Sequence, residues 1–303
     1  MQTENTEKPR VYLVDASVYV FRGWFSYPQD ITDNSGRPVN AVHGYADFLT
    51  RLLRQVKPRF VACAFDGSLA TNFRNDIYPS YKANREPAPD ELKYQFTSCR
   101  RLTRALGIAE YVSDRYEADD IIGSLACMMR LDGHPVTVIS SDKDLTQLLQ
   151  HRDDRWWDFA RNIELDLEGV EARFGVRPDQ VADLLALAGD AVDNIPGIPG
   201  IGVKTAAGLL QRYQSLQGIY DCLHELDDCG LRGAARIKKL LIQHEADARL
   251  ARQLTVISDQ IPLASSPARL HWNGANSDEL EVIAEEVGFS QYRRRQWNEL
   301  GYD

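Results

Sequence analysis

Cysteine and histidine are scarce, with five Cys and six His in 303 residues. The cysteines (Cys63, Cys99, Cys127, Cys222 and Cys229) are odd in number, widely spread and without a Cys-x-x-Cys pair. The histidines form no ligand-like group. These absences argue against a disulfide framework and a zinc site, and favour a reduced, cytoplasmic protein. No apolar run approaches the ~18–20 residues that span a bilayer, and no membrane partner is expected. Residues 1–10 are polar, without the apolar core of a secretory signal. No Ser/His or Cys/His arrangement offers a nucleophile. A basic surplus is missing too: 35 Lys and Arg stand against 44 Asp and Glu, a net charge of −9. Taken alone, that balance argues against a nucleic-acid partner, so the acid has to be located first.

What is present suggests about two domains, or one α/β domain with an appendage. Apolar runs at residues 11–14, 60–65 and 136–139 read as strands, and the amphipathic stretches 39–55, 92–106 and 118–131 read as helices. Strands separated by helices predict βαβ units around a parallel sheet covered on both faces. Residues 67–90 break that rhythm with a polar, aromatic, Pro-containing segment too long for a routine connection. After about residue 165 the chain reads as helical, with a Gly/Pro-rich interruption over 189–202. Residues 264–276 read as irregular chain before a last amphipathic segment, 278–287.

Nine acids fall where this reading predicts convergence. Asp15 and Asp66 end strands; Glu117, Asp119 and Asp120 open a helix; Asp142 and Asp144 follow the third strand; Asp190 and Asp193 flank the Gly/Pro interruption. Any one of them could simply cap a helix or a turn. Together they need counter-charge, because two carboxylates ~5 Å apart repel by roughly 3 kcal/mol at an effective dielectric of 20. An all-oxygen ligand set suits Mg²⁺ or Mn²⁺. Two such ions activate water and stabilise a leaving oxygen in phosphoryl displacement, so the residues point to phosphodiester hydrolysis.

Positive charge is local. Between Thr71 and Arg104 seven basic residues (Arg74, Lys82, Arg85, Lys93, Arg100, Arg101, Arg104) face four acids, interleaved with Phe73, Tyr78 and Tyr81. Charge with rings suits single-stranded nucleic acid; a solvated loop is the alternative. The run from Asn194 through Gly197, Gly200, Gly202, Lys204, Thr205 and Ala206 is a glycine-rich turn opening a helix near Val203. Such a turn lets backbone amides meet a phosphate and fixes register without reading bases. A third basic stretch, residues 230–252, extends that track or is a solvated helix face.

These residues carry a resemblance to the 5′-nuclease (flap endonuclease) family, in particular the 5′-nuclease domain of bacterial DNA polymerase I and its stand-alone relatives. It rests on Val14-Asp15-Ala16-Ser17, Phe65-Asp66, Tyr81-Lys82-Ala83-Asn84-Arg85, Glu117-Ala118-Asp119-Asp120, Ser141-Asp142-Lys143-Asp144 and Gly189-Asp190-Ala191-Val192-Asp193-Asn194-Ile195-Pro196-Gly197, and runs from about Val11 to Leu263. The resemblance implies an α/β fold with a PIN-like core over residues 1–165, including a helical arch at about 67–106. It also implies a helical region over 166–265 with a helix-three-turn-helix motif at about 181–213, and a tail of short helices over 266–303. Asp15, Asp66, Glu117, Asp119 and Asp120 match the ligands of a first metal ion. Asp142, Asp144, Asp190 and Asp193 match those of a second, with Asp142 placed to serve either. Lys82 and Arg85 match arch residues that engage the scissile phosphate, Tyr81 a stacking residue, and Lys204 a hairpin lysine near duplex phosphate. Arg74, Gly197, Gly200, Gly202 and Thr205 join the expected DNA contacts, and the hairpin is expected to hold K⁺ through backbone carbonyls.

The implied activity is structure-specific cleavage of 5′-flap, nicked or frayed DNA by a monomer with two Mg²⁺ or Mn²⁺ ions. Ala16 and His43 depart from the family's usual Gly and aromatic residue, and the absence of a following polymerase domain suggests a separate polypeptide. Two other readings stand: an inactive junction-binding module, which loss of an acid would favour, and a PIN-type ribonuclease, which needs neither the hairpin nor the arch lysine. A haloacid-dehalogenase-like phosphatase fits less well, since Ser17 stands where a second aspartate is needed.

Overall fold

Alternation along the first strand decides the layering. In β1 (Val11–Asp15) the side chains of Val11 and Leu13 enter one apolar cluster, and that of Val14 enters another on the opposite face. The computed structural model describes residues 8–67, 71–228 and 233–300. Cys229, Arg232 of the third basic stretch and residues 68–70 of the expected arch lie outside them.

After β1 the chain runs through α1 (Ala16–Ser26), α2 (Asn40–Val56), β2 (Phe60–Asp66), α3 (Phe73–Ile77), α4 (Asp90–Ala105), β3 (Ala109–Ser113), α5 (Ala118–Leu131) and β4 (Val136–Ile139). It continues through β5 (Arg155–Asp158), β6 (Ile163–Leu165), α6 (Leu167–Phe174), α7 (Val181–Ala188), α8 (Val203–Tyr213) and α9 (Leu216–Asp221). The last helices are α10 (Ala234–Gln243), α11 (Glu245–Thr255), α12 (Ser277–Val287) and α13 (Gln291–Asn298). The sheet order is β3-β2-β1-β4-β5-β6, parallel except for the antiparallel edge pair β5–β6. From β1 the chain builds outward to β2 and β3, then returns to place β4 on β1's other side. The crevice at such a reversal, beyond the carboxyl ends of the strands, is where open α/β sheets bind ligands. Asp15 ends β1 at that point, and Asp142 lies just after β4.

On one face, Leu13, Ala62, Ala64 and Val138 pack under Ile121, Ile122 and Leu125 of α5. On the other, Val14, Val61, Cys63, Phe65 and Ile139 pack under α1, α2 and α4. Helix α2 ends where Lys57 turns left-handed (φ 41°) ahead of Pro58, which cannot continue a helix. Its opening amides are met from α4: Gln95 Oε1 accepts from Ala41 N (2.7 Å) and Val42 N (3.3 Å). Helix α4 therefore belongs to the core, with Leu92, Cys99 and Leu102 buried. This differs from an arch reaching to residue 106. Ahead of α4, the described residues 71–89 form α3 and a run of turns.

The strands β3, β5 and β6 were not legible: each is only three to five residues long, and β3 carries Glu110, held by Arg100. Helices α7 to α11 form the helical region, tied by Arg252 Nε to Asp183 Oδ1 (2.6 Å) and Thr255 Oγ1 to Ala182 O (2.9 Å). The tail returns to the first region, where Trp297 Nε1 donates to Thr50 Oγ1 (2.9 Å). Among the described residues no helix is long and apolar enough to cross a membrane.

Candidate metal centre and nucleic-acid interface

Each acid is placed by the element that carries it. Asp15 is buried at the end of β1 and accepts from Ser140 Oγ (2.8 Å). Asp66, one strand over, accepts from Ala118 N at the start of α5 (3.0 Å), and Ser17 Oγ accepts from its amide (2.9 Å). Asp142 caps the 3₁₀ turn Lys143–Leu148 by accepting from Asp144 N (2.9 Å), while its own amide donates to Ser140 Oγ (2.9 Å). Asp190 accepts from Val192 N (2.8 Å) in a tight loop closed by Asp190 N–Ile195 O (3.0 Å) and Ile195 N–Asp190 O (2.8 Å). A small cleft of about 20 Å³ brings Glu117, Asp119, Asp144, Asp190 and Asp193 together. Acids from the start of α5, the turn after β4 and the loop after α7 thus share one site.

The site is short of positive charge. Burial, then repulsion from Asp66 and Asp142, pushes Asp15 up to about 8. Burial and repulsion from Asp142 and Asp190 push Asp144 up to about 8 as well. Asp119 is raised well above the carboxylate range by burial and by Asp142, Asp15 and Glu117. Asp142 is raised too, chiefly by burial. Asp144 Oδ1 is buried without a hydrogen-bond partner. An orphaned carboxylate oxygen among mutually repelling acids, with no His or Cys nearby, fits a hard divalent cation. Among the described residues no three acidic, His or Cys side chains close tightly enough to enclose an ion as they stand.

Two cations stand at the rim. Lys82 sits in the left-handed region (φ 54°), its amide donating to Asp193 O (2.9 Å). Its ammonium meets Glu117, and Asp193 at 3.5 Å. Burial alone would lower the Lys82 pKa, but Glu117 and Asp193 outweigh it and raise it. Arg85 pairs with Asp193.

Three expectations are corrected. Arg74 was expected on DNA, yet it is 2% exposed and fully engaged. It donates to Asp120 Oδ2 (2.7 Å) and Oδ1 (2.8 Å), Glu117 Oε2 (3.2 Å), Leu254 O (2.9 Å) and Val256 O (3.1 Å). A phosphate cannot reach it. Asp120 was expected on a metal. Both its oxygens are taken by Arg74, and it also accepts from Glu117 N (3.1 Å) and Ser258 N (2.9 Å) with no exposure at all. It caps α5 and anchors Arg74. Tyr81 was expected to stack on a base; its ring is buried, and its hydroxyl lies 2.9 Å from Glu117 Oε2 and 3.2 Å from Asp193 Oδ2. In all three cases burial that the sequence does not display turned a polar side chain inward.

The hairpin divides. A Cβ at Gly197 would lie 2.2 Å from Gly189 N, so that glycine serves close backbone packing rather than a ligand. Gly200 (φ 89°) packs beneath Arg236 of α10. Gly202 opens α8 with nothing within 4 Å of a would-be Cβ. Lys204 beside it is exposed and has no ion-pair partner among the described residues, and Thr205 N is turned inward to Gly202 O (3.0 Å). Ser17 and Ser140, which hold Asp66 and Asp15, escaped the sequence reading. Their signal was a serine two residues from a candidate acid at a strand end.

Residues 10–175 match the model of the 5′-3′ exonuclease N-terminal resolvase-like domain, and residues 176–278 that of the 5′-3′ exonuclease C-terminal SAM fold. The chain belongs to the 5′-3′ exonuclease family. Its relatives include a DNA polymerase I of Bacillus subtilis, 34% identical over 295 residues, covering 96% of this chain and 32% of that protein. One of Rhizobium leguminosarum is 35% identical over 292 residues, covering 94% and 28%. The chain spans about a third of the length of these curated relatives. Solved structures share the fold. A T5 5′-exonuclease with bound zinc matches at TM-score 0.63 and 21% identity, over 96% of this chain and 98% of the other. The catalytic core of Rad2 with DNA substrate matches at 0.65 and 16%, over 97% and 93%. In this 5′-3′ exonuclease family member the boundary between the two family domains falls just after α6. Asp15 to Asp144 thus come from the first domain, and Asp190, Asp193 and Lys204 from the second.

Proposed function

We propose that this chain is a divalent-metal-dependent DNA 5′-nuclease that hydrolyses a phosphodiester at a junction of single-stranded and duplex DNA, as a 5′-3′ exonuclease or 5′-flap endonuclease. One observation carries the reading: buried and half-buried, mutually repelling carboxylates from both family domains share a cleft in which Asp144 Oδ1 has no partner. Asp15, Asp66, Glu117 and Asp119 would hold one Mg²⁺ or Mn²⁺ ion, and Asp144, Asp190 and Asp193 a second, with Asp142 serving either. When bound, such ions supply a hydroxide-like water and stabilise the leaving oxygen.

The chain's own residues orient the rest. Ser140 holds Asp15 and the Asp142 backbone in one arrangement, and Ser17 fixes the backbone of Asp66. Lys82 and Arg85 neutralise Glu117 and Asp193; with those acids otherwise compensated, both cations face the cleft and suit the reacting phosphate. Gly202 and Lys204 present an open helix start and an exposed ammonium to a duplex phosphate. The turn of residues 195–202 would hold K⁺ through carbonyls. The protein would act as a cytoplasmic monomer on flapped, nicked or frayed duplexes.

The test is cleavage of end-labelled 5′-flap, nicked and single-stranded DNA, with and without Mg²⁺, by the wild type and Asp142→Asn. Mg²⁺-dependent products near the junction, absent from the variant, are expected. Equal turnover by the variant would remove the metal assignment, and preferred cutting of an RNA counterpart would replace the substrate.

A further inference from the structure

A groove of about 390 Å³ opens beside Asp142 of the carboxylate site, and neither Lys82 nor Arg85 lines it. Its wall begins at Asp142 and Lys143 where β4 ends, continues along the β5–β6 hairpin at Trp156, Asp158 and Arg161, and finishes at Arg173 and Phe174 at the end of α6.

Its chemistry is that of a seat for sugar-phosphate. Three cations line it. Lys143 and Arg173 are exposed and have no ion-pair partner among the described residues. Arg161 is 65% exposed, and its guanidinium is 3.3 Å from Asp158, which is buried and also accepts from Arg161 N (3.1 Å). Asp158 is therefore committed to holding Arg161 in place rather than to repelling an anion. Phe174 is half-buried and adds an apolar wall beside Arg173, whose guanidinium lies 5.9 Å from the ring centre. Trp156 Nε1 donates to Asp142 O (2.8 Å), so the groove's floor and the metal-site loop are one piece.

The direction of the groove matters as much as its charge. Immediately after Phe174, Gly175 meets α8: its carbonyl accepts from Gln211 Nε2 (2.7 Å), and a Cβ there would touch that of Ala207 at 3.6 Å. Helix α8 is the one that opens at Gly202 and Lys204. The groove thus starts at the carboxylates and ends one residue before the Gly175 contact with the helix that carries Lys204.

We infer that this groove seats the backbone of the duplex beside the cut, with Lys143, Arg161 and Arg173 each facing a phosphate. The inference rests on the nuclease reading above and adds three positioning residues to it. Such contacts are sequence-independent and lower the salt dependence of binding by about one unit of slope for each cation removed.

The experiment measures binding of a fluorescent 5′-flap duplex in Ca²⁺ across a salt series, for wild type, Lys143→Gln, Arg161→Gln and Arg173→Gln. Wild-type cleavage in Mg²⁺ and thermal melts are followed in parallel. Each variant should weaken binding roughly five- to tenfold near 0.1 M salt and flatten the slope by about one. Replacing single duplex phosphates with neutral methylphosphonates should weaken the wild type at two or three positions next to the cut. At one of those positions each variant should be insensitive. Arg173→Gln breaks no ion pair and is expected to melt like the wild type, which separates a lost contact from a lost fold. Unchanged affinity and slope in all three variants, with a wild type that cuts, would overturn the groove alone. So would weakening that no single phosphate position reproduces. A wild type that neither binds nor cuts would overturn the nuclease reading, and the groove with it.

Discussion

Arg74 and Lys82 lie eight residues apart in one basic, aromatic segment, and each faces acids at the start of α5. The first is sealed: five hydrogen bonds satisfy its guanidinium, and Asp120 opposite it is bonded on both oxygens. The second stands at the rim of a cleft whose acids outnumber its cations. A buried pair with every group satisfied is a piece of architecture, since breaking it strands a charge. A cation at the edge of a cleft whose other carboxylates lack a counter-charge can exchange an acid partner for a phosphate, which is what a reacting site requires. The comparison separates structure from function within a dozen residues that look alike on paper.

The largest expected effect is on turnover. Asp142→Asn should lower Mg²⁺-dependent cleavage of a 5′-flap by ~10²–10³-fold or more while leaving binding in Ca²⁺ nearly intact; retained turnover would move Asp142 to the architectural side. Next, Arg74→Leu should cost about 3–5 kcal/mol of stability by leaving Asp120 buried and unpaired, read as a lowered denaturation midpoint. A variant of normal stability that has lost only DNA affinity would reverse the comparison. Lys82→Ala should slow single-turnover cleavage by roughly 10²-fold with little change in melting or duplex affinity. A pure affinity loss would speak against its place at the reacting phosphate.

A pH series sharpens the same contrast. With Asp15 and Asp144 raised to about 8, the folded chain keeps protons that the unfolded chain releases near pH 4. The metal-free protein should therefore lose stability as pH rises from about 4 to 8 and level off above. Added Mn²⁺ should raise the melting temperature more at pH 8.5 than at pH 5.5, because at the lower pH it competes with protons. An equal shift at both would show that those acids are not where the ion binds. The smallest effect is Lys204→Ala, which should weaken binding alike on different duplex sequences and flatten the salt slope by about one.

Much of this was legible in one dimension. Three apolar runs each followed by an aspartate placed Asp15, Asp66 and Asp142 at one sheet edge, because parallel strands all point the same way. The Gly/Pro turn ahead of Lys204 announced a helix start with open amides. Short strands such as β3 and β6 were not legible, since a few half-polar residues carry no period to detect; their pairing with neighbours makes them strands. Nor was the packing of α4, where Gln95 satisfies amides 53 and 54 residues earlier in the chain.

The kinds of side chain that meet were thus settled by local order alone: acids at strand ends, cations and rings in one long connection, glycines before a lysine. Which of them face the cleft was decided only by the fold. Burial is a property of neighbours remote along the chain: residues 254–258 cover Arg74 and Asp120 and withdraw both from solvent, and no pattern near position 74 or 120 could encode that cover.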